Sequence, residues 1–473
     1  MLHFHQSHNS LYLTVGCLFA ACCITGCQPP LTVDNAEILN AQELTVAALR
    51  CQQSGEATDA GYLFVLSKLR YQIDRQVYTQ RGAKPEDPRV ALAALGAILN
   101  QASMSEVFRD PERMSSILAR VRAWSPSFQA NYKPGWNFQE QLNQEQAAQV
   151  VQNTIESVLP SLETQIMLFR DSDYRQAAMQ FSLATRQLEK IAAETPEQIA
   201  IQPTQLRELK QRQLAASRRM QEIEWDMLPS KRWHVRNQWQ AADFFDDPLV
   251  IELCKSIELN DVPEMELMIE AGANVNARGT HAMTPLLWAF PDAKIERFEC
   301  LLKHGADPNI LHESDFGVSE PFQQAPLGLT PDYGQAAKGN SVVHLACRSF
   351  DSRFLALVLQ YGGDPNLKNS HDLTPLVREF ILSPGLEKVQ LLIEAGGEVD
   401  QHIALSSEGA DDTLAMRAAR LGRFDILLAL LEAGADTSLM AANGEDLRIV
   451  VANQSAQSSS NPDYEKVQQW LAK

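Results

Sequence analysis

The chain has 473 residues, which is too long for one ordinary domain and predicts two or three compact units. Apolar residues make up 45% and charged residues 21%, so a disordered chain and a membrane-spanning bundle are both disfavoured. The formal net charge of −18 disfavours nucleic acid or an anionic membrane surface as the main partner, because both require clustered Lys and Arg.

An uncharged apolar run from Leu11 to Thr25 lies near the start of the chain. It is shorter than the roughly 20 residues of a membrane-spanning helix and has the length of a signal-peptide core. The run leads into the tetrapeptide ITGC at 24–27, which resembles the lipobox of bacterial lipoproteins. The leader carries no Lys or Arg, which departs from the usual positive start of such signals. The alternative is a buried apolar helix that opens a cytosolic protein.

The lipobox resemblance implies a signal peptide over 1–26, acylation of Cys27 and a short tether over 27–35. Several acyl chains on one cysteine would hold the protein stably, whereas a single chain binds a membrane only marginally. We therefore expect a lipid-anchored protein of the bacterial cell envelope that faces the periplasm. Gln28 is not the aspartate associated with inner-membrane retention, which favours the outer membrane.

The four cysteines that follow Cys27 give no sign of a metal site. No CxxC or Cys/His spacing of the kind that binds zinc is present. Most of these cysteines fall at apolar positions inside repeats, so buried thiols are expected rather than disulfides. The residues are Cys51, Cys254, Cys300 and Cys347.

Residues 36–240 are predicted to form an antiparallel helical domain, since apolar residues recur there at helical spacing. Asp87-Pro88 and Asp110-Pro111 are typical helix starts, with the aspartate as N-cap and the proline in the first turn. This region shows no repeat period and resembles no family.

Aromatic residues cluster in two places of this region, in the turn-rich stretch near residues 125–138 and near its end. They could form a binding surface, but packing of helix ends and of the junction to the next domain is the favoured interpretation. The residues are Tyr132, Trp136, Phe138, Trp225, Trp233 and Trp239.

The second half of the chain contains a repeated phrase, seen as LMIEAGANVN at 267–276 and CLLKHGADPN at 300–309. Its central glycines are separated by 33, 57, 34 and 38 residues, which indicates a period near 33 with one large insertion. Upstream segments such as TPLLWA at 284–289 match the start of a helix. The five glycines are Gly272, Gly305, Gly362, Gly396 and Gly434.

This pattern resembles the ankyrin repeat over residues 247–473, as five repeats followed by a degenerate capping unit. The resemblance implies an all-α fold, in which the N-terminal helical domain is followed by an ankyrin-repeat α-solenoid with short β-hairpin turns. Thr-Pro would cap and open each first helix, and glycine would end each second helix in the left-handed conformation. The long gap corresponds to an insertion at 311–339.

Catalytic motifs are absent from the sequence: we find no GxSxG, HExxH, P-loop or GxGxxG pattern. His344 lies at the histidine position of the ankyrin signature, where a structural role is expected. Asp307 and Asp364 fall in turns and are expected to bind local backbone. We therefore predict a protein that is not an enzyme and that has no cofactor or metal, with an enzyme in the helical domain as the weakest alternative.

Ankyrin arrays bind partners through the tips of their hairpins and the inner helices. The tips after the first and third repeats and the inserted segment are therefore the predicted contact surface, although solvated turns or packing of the insertion would explain the same residues. The candidates are Arg278, Thr280, His281, Lys368, Asn369, His371, Phe316 and Phe322.

The combined expectation is a lipid-anchored periplasmic protein that binds another protein. A narrower hypothesis, by analogy, is an immunity protein that neutralises a secreted antibacterial toxin such as a type VI secretion lipase. A scaffolding or envelope-maintenance role is the broader alternative. The anchor would contact the membrane, and no nucleic acid is expected as a partner.

Overall fold

Short helices follow one another along nearly all of the chain that the computed structural model describes. The described residues are 31–80, 107–128, 132–135, 138–192, 203–232, 234–235, 238–290, 294–313, 338–349, 351–381, 384–404, 411–454 and 461–472. Several sequence predictions lie outside these ranges, namely those on Cys27, Asp87-Pro88, Trp136, Trp233, Phe316 and Phe322. The chain divides into two compact units, Met1–Arg175 and Gln176–Lys473, which are described one at a time.

The first unit is a helical assembly with one short strand pair. The pairing Tyr78↔Gln141 defines the antiparallel register of its two strands, which the sequence analysis did not predict. Its described elements are α1 (Ala41–Gln53), α2 (Ala57–Val77), β1 (Tyr78–Gln80), α3 (Pro111–Ala123), β2 (Phe138–Gln141) and α4 (Gln144–Arg170).

Helix α2 is the centre of this unit, because α1, α3 and α4 all pack against it. Leu63 and Leu66 of α2 are fully buried together with Ile117 of α3. The predicted helix start at Asp110-Pro111 is confirmed, since Asp110 Oδ1 accepts hydrogen bonds from the first turn of α3. Local capping and apolar spacing therefore account for most of this unit.

A buried polar cluster holds the segment after α3 in the first unit. Arg70 and Asp74 of α2 form an ion pair, with 3.1 Å between Arg70 Nε and Asp74 Oδ1 and both side chains fully buried. Tyr132 accepts a hydrogen bond from Arg70 Nε at 2.7 Å and donates one to Asp74. Arg70 also donates to the Ser127 carbonyl at 3.0 Å. Tyr132 thus has a packing role, as the favoured interpretation of the aromatics expected.

The second unit contains the helical hairpin α5–α6 and the repeats. Gln213 of α6 donates a side-chain hydrogen bond to Thr185 of α5 at 2.8 Å. Helix α5 begins just before the division between the two units. The elements are α5 (Ser172–Ala192), α6 (Pro203–Met227), α7 (Pro248–Leu259), α8 (Val262–Glu270), α9 (Pro285–Ala289), α10 (Ile295–Lys303), α11 (Val342–Arg348), α12 (Ser352–Gln360), α13 (Pro375–Ile381), α14 (Leu386–Glu394), β3 (His402–Ala404), β4 (Asp411–Thr413), α15 (Leu414–Arg420), α16 (Phe424–Glu432), α17 (Leu447–Asn453) and α18 (Pro462–Leu471).

The division after Arg175 lies well before the boundary that the sequence suggested near residue 240. The physical reason is that α6 packs along the repeats. Arg218 forms an ion pair with Asp351 at 2.7 Å, and Lys294 forms one with Asp226 at 2.8 Å. These contacts couple α6 to the second and third repeats, and helical periodicity alone does not reveal them.

An aromatic cluster closes the first end of the repeat array. Trp288 is completely buried, with ring centroids 4.4 Å from His234 and 5.9 Å from Trp239. Phe244 and Phe245 pack edge-on against the same indole, at 5.5 and 6.3 Å. The segment between α6 and α7 therefore caps the array, and the packing interpretation of Trp239 is confirmed.

Six helix pairs, from α7–α8 to α17–α18, stack in order within the described part of the second unit. We number these pairs repeats 1 to 6. The sixth pair is the predicted capping unit: Tyr464 and Val467 are buried against the array, whereas Glu465 and Lys466 face solvent. The predicted all-α fold with ankyrin-type repeats is thus confirmed. None of the helices described has the length and apolar composition needed to cross a bilayer.

The repeat signature has the local roles expected from its residues. Thr284 caps α9, since its Oγ1 accepts a hydrogen bond from Leu287 N at 3.1 Å. The glycine after the second helix of repeats 1 to 5 takes a left-handed conformation, as at Gly272 with φ of 103° and Gly434 with φ of 94°. A side chain with a Cβ would be strained there, which explains why glycine recurs with the period.

An asparagine ladder joins the turns that follow the second helices. Asn276 donates to the Gly305 carbonyl at 2.8 Å and accepts from Asp307 N at 2.7 Å. Each asparagine thereby bridges two repeats with both ends of its amide. The same two bonds join Asn309 to Gly362 at 2.9 Å and to Asp364 at 2.8 Å. They also join Asn366 to Gly396 at 2.9 Å and to Glu398 at 2.8 Å.

Replacing Asp400 by asparagine is expected to raise the free energy of unfolding by about 0.5–1 kcal/mol. Asp400 occupies the next step of the ladder and accepts from Asp436 N at 2.7 Å. A carboxylate has no N–H to donate to the Gly434 carbonyl, whereas the amide would supply it. Urea denaturation measures the effect, with Asn309→Ala as the opposite control because it loses both bonds. A neutral or destabilising Asp400→Asn would contradict this account.

Candidate functional site

The hairpin tips between successive repeats form a continuous edge, which we call the tip row. We define it by residues 278–281, 313, 338–339, 368 and 370–372. Backbone hydrogen bonds join the first tip to the segment before α7 and join neighbouring tips to one another. They run from Thr280 N to Phe244 O at 2.9 Å, from Glu313 N to His281 O at 3.0 Å, and from Ser370 N to Gly339 O at 2.9 Å. The tips are therefore held in fixed positions relative to one another.

The predicted contact residues in the tips are mostly exposed. Polar side chains project to solvent at both the first and the third tip, on backbone that is fixed by hydrogen bonds. His281 has a φ of 57°, which shows how sharply the first tip turns. The exposed predicted residues are Arg278, Thr280, His281, Lys368 and His371.

Asn369 is placed differently from the prediction, because only 5% of it is exposed. Its Nδ2 donates to Asn340 Oδ1 at 2.8 Å, and its Oδ1 accepts from His371 N and Leu373 N, both at 2.9 Å. The amide is thus used to build the third tip and is not available at the surface. Sequence spacing could not show this, since Asn340 is 29 residues away.

The predicted insertion leaves and rejoins the tip row at one point. His312 is buried, its backbone N–H donates to Asn340 O at 3.0 Å, and its carbonyl accepts from Gly339 N at 2.7 Å. Its ring Nδ1 lies 3.0 Å from the Ala282 carbonyl, so the imidazole donates across to the first tip. The described chain therefore leaves the tip row after Glu313 and rejoins it at Lys338.

The fourth tip contains a regular strand pair, which β3 and β4 form. His402↔Thr413 and Ala404↔Asp411 define its antiparallel register. The ring of His402 lies 3.4 Å from Asp411 Oδ2. The predicted short β-hairpin turns are thus present there, whereas the first and third tips are built from tight turns.

His344 has the structural role that its place in the signature predicts. Its Nε2 donates to the Leu373 carbonyl at 3.1 Å, and its Nδ1 lies 2.9 Å from Ser341 Oγ, the cap of α11. The predicted turn roles of Asp307 and Asp364 are also confirmed, since each accepts from the backbone two residues ahead. These residues stabilise the tips and are unavailable for chemistry.

The unfolding free energy of the repeats is expected to fall as the pH is lowered from about 6.5 to 4. Burial lowers the pKa of both His344 and His312 to about 4, below the roughly 6.5 of an exposed histidine. The unfolded chain binds more protons in this interval, so acid favours unfolding, by up to about 3 kcal/mol per histidine. Urea denaturation at several pH values measures the slope. His344→Gln should flatten it, whereas the exposed His371→Gln should leave it unchanged.

The four cysteines among the described residues are free and buried, as predicted. Burial raises the pKa of Cys51 and of Cys300 to about 11, so neither thiol is activated as a nucleophile. Among the described residues, no group of three or more His, Cys, Asp and Glu could hold a metal ion.

Two shallow surface clefts lie among the described residues of the first unit. One, of about 400 Å³, lies between Phe128 and the start of α4, where Gln144 and Gln152 line it. The other, of about 410 Å³, lies between Arg75 of α2 and Asn153 of α4. Hydroxyl, amide and apolar side chains line them together with Arg75, and neither lining contains a carboxylate, a histidine or a cysteine.

Two arginines on the first helices of the repeats escaped the sequence analysis. Arg378 of α13 and Arg417 of α15 each lie four residues after a capping threonine, Thr374 and Thr413. Both are partly exposed. Aligning the six repeats by their caps would have found them, because apolar residues occupy this position in other repeats.

No family model matches the chain, and no curated protein matches it. One solved structure, described as that of an ankyrin repeat protein, is similar over 47% of this chain and 98% of its own. The sequence identity is 22% and the TM-score is 0.33.

Proposed function

We propose that this protein is lipid-anchored through Cys27, faces the periplasm, and binds another protein through the tip row and the neighbouring first helices. The observation that carries the binding function is the tip row itself. Polar side chains such as Arg278, His281 and His371 project from backbone that hydrogen bonds hold in place. A surface that is rigid before binding loses little conformational entropy in the complex.

Photo-crosslinking in living cells tests the binding function. A photoreactive residue at His371 should capture one discrete partner, and the same residue at Lys303, which ends the second helix of repeat 2, should not. Lys303 is a suitable control because 54% of its side chain is exposed. Equal adducts at both positions, or none at His371 and His281, would rule out the tip row.

The anchor rests on the ITGC tetrapeptide and is tested separately. Cys27→Ser in the full chain should abolish incorporation of radiolabelled palmitate and release the protein from the membrane fraction. The outer membrane should contain the wild-type protein, because Gln28 is not an aspartate. Membrane retention of the Cys27→Ser variant, with unchanged processing, would refute the anchor.

A narrower role as an immunity protein follows from combining an envelope anchor with a binding surface that has no reaction site among the described residues. The partner would then be a secreted antibacterial toxin, such as a type VI secretion lipase. Deletion should make cells sensitive to toxin-producing kin, and a variant with Arg278 and Lys368 replaced by alanine should fail to restore protection. Survival of the deletion strain beside such kin would exclude this role and leave the binding function intact.

A further inference from the structure

One position in the first helices is part of the core in three of the repeats. It lies four residues after the N-cap, which is Thr284 in repeat 2, Ser341 in repeat 3 and Asp446 in repeat 6. The residues there are apolar and have almost no contact with solvent. They are Trp288, Leu345 and Val450, with exposures of 0%, 1% and 0%.

Repeats 4 and 5 place arginine at this core position, as Arg378 and Arg417. Their helices, α13 and α15, are in direct contact. The two arginines therefore occupy equivalent positions in consecutive repeats. A guanidinium that is partly removed from water raises the free energy of the fold unless hydrogen-bond acceptors meet it. The two arginines therefore need a physical explanation.

Arg378 meets an acceptor within the fold, and the corresponding acceptor is missing beside Arg417. Arg378 Nη1 donates to Asn340 Oδ1 at 3.0 Å. Asn340 directly precedes the cap Ser341, and the residue in the equivalent place one repeat later is Leu373, whose side chain has no acceptor. Within the described chain, Arg417 Nε is buried without a hydrogen-bond partner, which costs about 1–3 kcal/mol.

The carboxylates described nearby are engaged elsewhere. Arg420, one turn beyond Arg417, forms ion pairs with Asp412 at 2.9 Å and with Glu445 at 2.6 Å. Glu379 of α13 accepts from Gly385 N at 2.9 Å, on the side of the second helix. Arg417 is thus partly exposed and forms no ion pair among the described residues, in a protein whose net charge is −18.

We propose that Arg417 binds a carboxylate in an acidic segment of the partner protein, with Arg378 beside it on the neighbouring helix. This inference rests on the proposed binding function and specifies the chemistry of the partner. A guanidinium presents N–H groups in a planar fork that matches the two oxygens of a carboxylate.

Fluorescence anisotropy with labelled decaglutamate and decaglutamine peptides tests the proposal on the full chain. The wild type should prefer decaglutamate, although the net charge of −18 opposes any anionic ligand. Arg417→Leu should weaken decaglutamate binding about tenfold, and Arg417→Lys should fall between, because it keeps the charge and loses the fork. Arg212→Leu is the matched control, since its side chain is 71% exposed on α6.

The stability of Arg417→Leu separates recognition from a structural role. Because Leu345 fills the same position in repeat 3, the variant should unfold at the same or a higher urea concentration than the wild type. Equal binding of both peptides by the wild type, or equal affinities of the Arg417→Leu and Arg212→Leu variants, would overturn the proposal. If His371 crosslinks a partner as before, the binding function would survive that result; without any adduct it would not.

Discussion

Replacing Trp288 by alanine is expected to lower the free energy of unfolding of the repeat array by about 3–5 kcal/mol. The indole is fully buried, and the rings of His234, Trp239 and Phe244 pack around it within 6 Å. Truncation would leave a cavity where the segment before α7 joins the second repeat. The first repeats should therefore lose their cap and unfold before the others.

Urea denaturation followed by far-ultraviolet circular dichroism measures this loss without relying on tryptophan emission. Met440→Ala is the control: 54% of that side chain is exposed, so a change of less than about 0.5 kcal/mol is expected. Similar losses in the two variants would show that the aromatic cluster does not hold the end of the array.

The second large effect is expected in the first unit, where Asp74→Ala should cost about 3–5 kcal/mol. The substitution leaves the guanidinium of Arg70 buried without its carboxylate and removes the acceptor of the Tyr132 hydroxyl. Burial raises the pKa of Asp74 to about 6 even though Arg70 opposes the shift, which shows how strongly this site is desolvated. An uncompensated charge at such a place is therefore costly.

Two further variants test whether the unpaired guanidinium causes this loss of stability. Asp59→Ala breaks an ion pair to Arg120 whose side chains are 38% and 30% exposed, and should cost no more than about 1 kcal/mol. Replacing Arg70 by methionine in the Asp74→Ala background removes the orphaned charge and should recover part of the stability. If the double variant were less stable than Asp74→Ala, the penalty would not come from the unpaired guanidinium.

Much of the repeat architecture follows directly from local sequence signals. Thr284 and Pro285 define a helix start, and Gly305 or Gly434 a helix end, through conformational preferences that act within a few residues. Five such ends at a recurring spacing fix the stacking order. The capping role of Asp110 in the first unit could be predicted for the same reason.

Features that depend on distant partners could not be predicted in this way. Asn369 is buried because Asn340 meets it across one repeat, and α6 joins the repeats because Asp351 lies opposite Arg218. Neither contact leaves a trace in spacing or composition. Arg417 is an intermediate case, since its unusual position becomes visible once the repeats are aligned by their caps.

The closure of the insertion at His312 and Gly339 has an evolutionary consequence. Both ends of the intervening chain are fastened to each other by backbone hydrogen bonds between His312 and residues 339–340. Doubling the length of a flexible loop adds only about 0.6 kcal/mol to the entropy of closing it. In evolution, changes in length and composition between Glu313 and Lys338 are therefore compatible with one unchanged scaffold, much as a hypervariable loop varies on an antibody framework.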